Sequence, residues 1–437
     1  MLSARNRELL GLLPVALIAA AGFAGVLLAR EAQVNDLTIT YGAIFLALCL
    51  AGHLFIRWRL PEADPYIYPL TAALAGIGIV TVFRIDPELA RNQAQWFVVA
   101  LLAFMATVLL VRDVAVLERY RYTIAIGAFI LLLLPRLTGG AVHGAYLQIR
   151  LGPLGFQPTE LAKLAIVVFV AAYLAETREI LVTRERRLLG ISFPPLGFFG
   201  PMVVVWAMAM MMLVFIRDLG SAVMFFGGFL ALLYVATGRL SYVVLGLVMF
   251  VFGFEFFSNT VGHVQARADI WHHPLDPALF HADGGSYQVA QGMFTMADGG
   301  VLGSGFGQSL ISVGGAPILP AVKTDSIYAL LTGETGLIGA IALLLLYLVL
   351  VERGLKTAVL ARDAFSKLLA TGLTFVFALQ VFVIVGGVTT VIPLTGVTLP
   401  FVSYGGSSIV ANFILVALLM VISDRARRGE SDAGGVI

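Results

Sequence analysis

Apolar blocks about as long as a membrane span recur from end to end of this sequence, separated by shorter polar segments. A helix needs roughly 20 mostly apolar residues to cross the hydrocarbon core of a bilayer. Blocks with cores at 9–28, 39–55, 68–83, 96–111, 122–134, 161–174, 196–215, 221–235, 242–257, 327–351, 368–391 and 409–422 meet or approach that length. In lipid, every backbone N–H and C=O must find a partner inside the segment, so such blocks fold as helices. The expected fold is all-α, a polytopic helical membrane protein with about 12 transmembrane helices. Composition agrees: 59% of the 437 residues are hydrophobic and 12% charged, where a soluble domain has about 25% charged.

Charge sets the direction. With the N-terminus in the cytoplasm, most of the 28 Lys and Arg fall on the inner side, among them Arg57, Arg112, Arg186, Arg187, Arg353 and Arg428. The positive-inside rule then expects both termini in the cytoplasm. It also places two long segments outside, 136–158 and 258–323, together with the segment before the last span. The net charge of +2 is too small to suggest nucleic acid as a partner. The lone Cys49 excludes a disulfide or cysteine–metal site within the chain. The first block is longer than a signal core and lacks a small-x-small cleavage site.

Polar residues that interrupt this pattern are the candidates for chemistry. Pro158, Thr159 and Glu160 suit a helix start and its positive dipole end. Lys163, a turn further in, is costly inside an apolar helix and marks a functional position, the alternative being a side chain that snorkels to the headgroups. Arg217 and Asp218 read as an outside turn. The outer segment 258–323 holds Asp269, Asp276, Asp283 and Asp298. Asp325 suits the cap of a helix starting near Ile327. Glu334 sits inside that span and needs a partner. The run 299–309 is rich in glycine, but no strand pattern precedes it, so it is not a nucleotide loop. The stretch 395–408, rich in Gly and Ser between two apolar blocks, is irregular backbone of a kind tolerated only where it is buried in protein or lines a wet cavity. Its end at Gly405, Gly406, Ser407 and Ser408 starts the last span, and the free N–H groups of such a helix start suit phosphate.

Several ordered motifs resemble the FtsW/RodA family, of shape, elongation, division and sporulation. Val142-His143-Gly144-Ala145 through Gly152, with Gln157-Pro158-Thr159-Glu160 and Lys163, is similar to N-G-A-x-R-W-I-x-L-G…Q-P-S-E-x-x-K. Asp218-Leu219-Gly220-Ser221 is similar to D-L-G-T. Arg267 to Pro277 resembles R-x-x-x-F/W-x-D/N-P-x-x-D-P, and Gly285 to Gly292 resembles G-x-G-Y-Q-x-x-Q-S. Gly299 to Ser309, Thr324 to Gly336 and Thr395 to Ser408 match later motifs. The resemblance covers roughly 68–423, leaving residues 1–65 as a two-span extension before a core at 66–437 with a large outer loop at about 258–324.

The resemblance implies a peptidoglycan glycosyltransferase in the bacterial cytoplasmic membrane. Its substrate would be lipid II, an undecaprenyl diphosphate-linked disaccharide peptide, polymerised at the outer face. It implies Asp276 as catalytic carboxylate, with Asp283 the runner-up; Lys163, an ionisable residue in an apolar helix and the Lys of the matched motif, is the other candidate catalytic residue. The implied substrate contacts are Gln157, Glu160, Arg217, Tyr287, Gln288, Asp325, Ser403, Tyr404, Gly405, Gly406 and Ser407. It brings in a class B penicillin-binding protein transpeptidase as partner, and membrane lipid. No metal ligand set is read from the sequence; a divalent cation, Mg or Mn, is the one cofactor the reaction leaves room for. Elongation and division branches both stay open, the two extra spans leaning toward elongation. The alternative is a lipid II flippase, although alternating access favours groups near the midplane. A third reading is a scaffold for the transpeptidase, in which no single carboxylate matters.

Overall fold

The computed structural model describes residues 3–29, 36–138, 149–151, 154–183, 186–188, 191–193, 211, 218–282, 284–313 and 315–434. Among them, ten helices are long and apolar enough to cross a membrane: Ala4–Ala29, Thr40–Arg59, Ile67–Ile85, Pro87–Leu110, Pro158–Arg178, Leu219–Thr237, Leu240–Thr260, Ile327–Leu360, Ala364–Val388 and Gly406–Arg428. A further helix, Arg121–Thr138, coincides with the block at 122–134. The block at 196–215 lies outside the described residues apart from Met211. The helical membrane architecture is therefore as the apolar blocks dictate. Among the described residues, strands are confined to three two-stranded antiparallel pairs of two or three residues each.

The chain forms two compact units. The first comprises Met1–Arg112, Asp269–Arg353 and Gln380–Ile437; the second comprises Asp113–Ala268 and Gly354–Leu379. In the first unit, helix Ala4–Ala29 runs along Ile67–Ile85, with Phe23 and Phe83 edge to face at 5.4 Å. The C-terminal helix packs on Pro87–Leu110, where Phe413 meets Phe97 at 5.5 Å and Phe104 at 6.5 Å. Such edge-on aromatic pairs add to the dispersion gained by burial.

The first unit also buries charge, and the buried charges are paired. Glu8 takes one bond from Arg5 and faces His53 Nδ1 at 2.7 Å. Arg5 also donates to the carbonyl of Ala63, and Arg427 pairs with Asp64. Asp424 accepts from the Glu62 N–H at 2.8 Å and from Arg428 Nε at 2.7 Å. Removing one member of such a set leaves an uncompensated buried charge.

Between the spans ending at Thr260 and starting at Ile327, the described residues form local structure. They include helix Gly262–His272, the short helix Pro277–Phe280, helix Tyr287–Gly299 and the hairpin at 312–317. In the second unit, helix Pro158–Thr183 packs against both Arg121–Thr138 and Leu219–Thr237.

Candidate active site

Asp276 caps the short helix Pro277–Phe280. Its Oδ1 accepts from Ala278 N at 2.7 Å and from Leu279 N at 3.4 Å, and the residue is exposed. The local sequence explains this: Asp is a favoured N-cap, and Pro277 occupies the first helical position, where its missing N–H costs nothing. Phe280, one turn on, packs edge to face on Tyr287 at 5.1 Å. Tyr287 opens the next helix, and Gln288 reaches Ser326 Oγ at 3.4 Å. Trp271, upstream of Asp276, donates its indole N–H to Thr390 O at 2.9 Å. The segment bearing the carboxylate is thus held at both ends. Asp283 lies outside the described residues.

The stretch 395–408 is wired to its surroundings by single polar side chains. Gln93, fully buried, donates to Ser403 O at 3.2 Å and accepts from Gly405 N at 3.3 Å. Gln380 donates to Thr398 O at 2.9 Å, and Tyr347 to Pro400 O at 2.6 Å. Ser403 donates its hydroxyl to Thr324 O at 2.7 Å and accepts from Leu399 N. Tyr404 N bonds Lys323 O at 2.8 Å. Phe401 takes a left-handed φ of 65°, which a bulky residue adopts only when its surroundings impose it. Its ring is pinned against Phe413 at 5.5 Å. Half-buried Asp325 has a carboxylate oxygen beside Gly396. Tyr404, Gly405 and Gly406 are half-buried and Ser407 is buried, at the start of the last helix. Gln288, the 323–326 segment and the 395–405 stretch are therefore neighbours.

The glycine-rich run is structural. Ser304 N bonds Gly333 O at 3.0 Å, Gly305 N bonds Glu334 O at 3.1 Å, and Leu337 N bonds Gly300 O at 3.0 Å. These bonds fill the gap where helix Ile327–Leu360 breaks at Gly336, with φ 70° and ψ −172°. A Cβ on Gly303 or Gly336 would run into the other strand of this contact, and both have positive φ, which only glycine takes freely. Glu334 finds the partner it needs in Arg84, whose Nε lies 3.1 Å from it.

In the second unit, Lys163 Nζ pairs with Glu160 Oε2 at 2.8 Å, and both residues are buried. The snorkelling alternative for Lys163 is not what the geometry shows. Gln157 is half-buried and its carbonyl accepts from Glu160 N at 3.3 Å. Asp218, also buried, caps helix Leu219–Thr237 by accepting from Ser221 N at 2.9 Å and the Ser221 hydroxyl at 2.5 Å. Burial pushes the Asp218 carboxyl above the usual carboxylate range. The Ser221 bonds and the Arg267 charge oppose that shift, and the Glu160 charge adds to it. Glu160, Lys163, Asp218 and Arg267 thus form one electrostatic neighbourhood. Arg217 lies outside the described residues.

A family model described as "Cell cycle protein", covering FtsW, RodA and SpoVE, matches residues 67–428. The chain belongs to this family. It is 37% identical to the peptidoglycan glycosyltransferase RodA of Mycobacterium leprae over 433 residues, 97% of this chain and 91% of that protein. It is 38% identical to the Mycobacterium tuberculosis RodA over 442 residues, with the same coverages. A probable peptidoglycan glycosyltransferase FtsW of Geobacter metallireducens is 30% identical over 394 residues, 86% of this chain and 99% of that one. Among solved structures, a chain from a peptidoglycan synthase complex that coordinates polymerization and crosslinking superposes with a TM-score of 0.65 at 24% identity, covering 84% of this chain and 98% of its own. The Thermus thermophilus rod shape determining protein RodA gives 0.59 at 23% identity, over 84% and 97%. These two likenesses speak for the fold.

The family's motifs account for the backbone around the site and not for what holds it. Gln93, Gln380 and Tyr347 escape the motif reading, as does Asp218 in its role within a buried charge cluster. Each is a lone polar residue within or at the edge of an apolar segment. The rule that marked Lys163, that a polar group in a span is costly and needs a reason, would have marked them too.

Proposed function

We infer that this chain is a peptidoglycan glycosyltransferase that polymerises lipid II into glycan strands, with Asp276 as the base. The observation that carries the reading is an exposed carboxylate capping a short helix whose Phe280 packs on the motif residue Tyr287, in a chain 38% identical to a protein named for that activity. In the reaction the 4-hydroxyl oxygen of the acceptor sugar attacks the donor's anomeric carbon. A carbon–oxygen bond forms there, the bond to the diphosphate breaks, and undecaprenyl diphosphate leaves. Asp276 takes the hydroxyl proton, help worth roughly 10² to 10⁴ in rate. Substrate seated over this exposed group excludes water and lets its charge act at full strength.

The leaving diphosphate needs positive potential. The helix start at Gly406–Ser408 supplies free N–H groups suited to it, and Lys163 and Arg217 are alternative cations. A divalent cation is a further way to balance that charge. Among the described residues, no three His, Cys, Asp or Glu side chains converge as a ready-made ligand set. The remaining motif positions, Asp325, Ser403, Tyr404 and Gly405 in the first unit and Gln157 and Glu160 in the second, are assigned as substrate contacts.

The chain is a multi-pass membrane protein. We place it in the bacterial cytoplasmic membrane with both termini inside, and assign it a class B penicillin-binding protein as transpeptidase partner. Residues 1–65 form an extension to the core at 66–437. The test is a purified assay in detergent with lipid II, with and without that partner. Glycan polymer is the expected product. Folded protein that never polymerises lipid II in detergent, yet moves it between leaflets once reconstituted into vesicles, would make this a flippase.

A further inference from the structure

The first two helices lie outside the family match, which begins at residue 67, yet helix Ala4–Ala29 is tied into the outer loops at one end and into buried charge at the other. At its C-terminal end the Phe306 ring rests on Gly25, where an added Cβ would stand 3.4 Å from the ring. Gly307, at φ 86°, abuts Ala29 so closely that a Cβ on it would collide with that methyl. At its N-terminal end Arg5 and Glu8 join His53, the Ala63 carbonyl and the carboxylates Asp64 and Asp424.

The outer contact continues to the catalytic segment without a gap. Arg84 donates to Gly307 O at 2.8 Å and Ser309 O at 2.9 Å while pairing with Glu334. Residues 304 and 305 bond the carbonyls of Gly333 and Glu334. The same run ends helix Tyr287–Gly299, whose first residue packs on Phe280, and Phe280 N bonds Asp276 O at 2.8 Å. Every link in this series lies within the first compact unit.

We propose that helix Ala4–Ala29 is a positioning element for the Asp276 segment: it braces the glycine loop at Phe306 and Gly307, and the Arg5–Glu8–His53 cluster holds the brace in register. The proposal rests on the assignment of Asp276 as the base. Phe306, Gly25, Arg5, Glu8 and His53 act through the loop and do not touch substrate.

The test uses the full chain in detergent and two readouts, steady-state polymerisation of lipid II and hydrogen exchange of backbone amides. Phe306→Ala removes the outer contact without touching the charge cluster; Glu8→Gln loosens the cluster; Leu17→Ala, on the lipid-facing side of the same helix at 70% exposure, is the control. A misplacement of about 1 Å can cost up to about 10² in rate, so Phe306→Ala and Glu8→Gln are expected to lower kcat by roughly tenfold with KM unchanged. Amides of 276–288 and 299–309 should exchange several-fold faster in both variants, while those of 406–428 stay protected, because opening would be local. Leu17→Ala should match the parent in both readouts. Faster loop exchange with an undiminished rate would overturn the proposal, as would a lost rate with unchanged loop exchange. Should Glu8→Gln fail to fold, Phe306→Ala decides alone. An active Asp276→Asn would sink the catalytic assignment instead, and it would do so without altering exchange at 299–309.

Discussion

Asp276 and Asp218 do the same local job in opposite surroundings. Each caps a helix by accepting backbone N–H bonds, from Ala278 and Leu279 in one case and from Ser221 in the other. Asp276 is exposed on a segment between two spans, whereas Asp218 is buried, with its carboxyl pushed up by burial and set among Glu160, Lys163 and Arg267. A cap motif in sequence therefore says where a carboxylate sits on a helix and nothing about whether it meets substrate. Burial decides that, and burial comes from which elements pack around it. The exposed carboxylate is available for proton transfer. The buried one is suited to fixing its neighbours.

The comparison breaks first at Lys163. Lys163→Met should abolish polymerisation and leave Glu160 buried and unpaired, a loss of about 3–5 kcal/mol for breaking such a pair. Lys163→Met with Glu160→Gln should recover most of that stability but no activity, measured by thermal melting in detergent beside the purified assay. Near-normal activity in either variant would reduce the buried cluster to a structural role.

A smaller effect is expected where the 395–408 stretch is wired. Gln93→Leu strands the Gly405 N–H and the Ser403 carbonyl, at about 1–3 kcal/mol for buried groups left unsatisfied. Activity should fall, and exchange at 403–405 should quicken while the Asp276 cap stays protected. Equal loosening at both places would mean that the two are not separately held.

Asp218→Asn keeps the Ser221 cap and removes a charge that burial disfavours. Because the folded carboxyl titrates above its unfolded value, its contribution to stability is full below the ordinary carboxylate pKa, near about 3.9, and is lost as pH rises through the folded value. The variant should therefore melt higher than the parent at neutral pH, and the gain should fade toward acid. A variant that melts lower at neutral pH would show that the Arg267 charge outweighs burial.

Much of this is legible in the amino-acid sequence. Apolar block length fixes the helices because lipid leaves the backbone no alternative, and the blocks at 9–28 and 409–422 fall inside the observed helices at both ends of the chain. The helix start at Pro158 and the need of Glu334 for a partner were likewise plain. What was hidden is long-range pairing. Arg84 meets Glu334 from 250 positions away, and Gln93 meets Ser403 from 310. No local rule reports such distances. The glycine run 299–309 showed only what it was not; its use, filling the break at Gly336, depends on two segments meeting.

The smallest perturbation tests sidedness alone. A cysteine at exposed Ala282, with Cys49 replaced, should react with an impermeant thiol reagent in intact cells. Labelling only after permeabilisation would put the Asp276 segment on the wrong side of the membrane for polymerisation.

The central claim, that the exposed cap and not the buried one is the base, is tested most directly by Asp276→Asn in purified protein. Asn still caps the helix but cannot take a proton, so lipid II polymerisation should fall by about 10² or more with melting unchanged. Asp218→Asn and Asp283→Asn, assayed alongside, should retain far more activity. An active Asp276→Asn protein, with Asp283→Asn dead or all three active, would contradict the account.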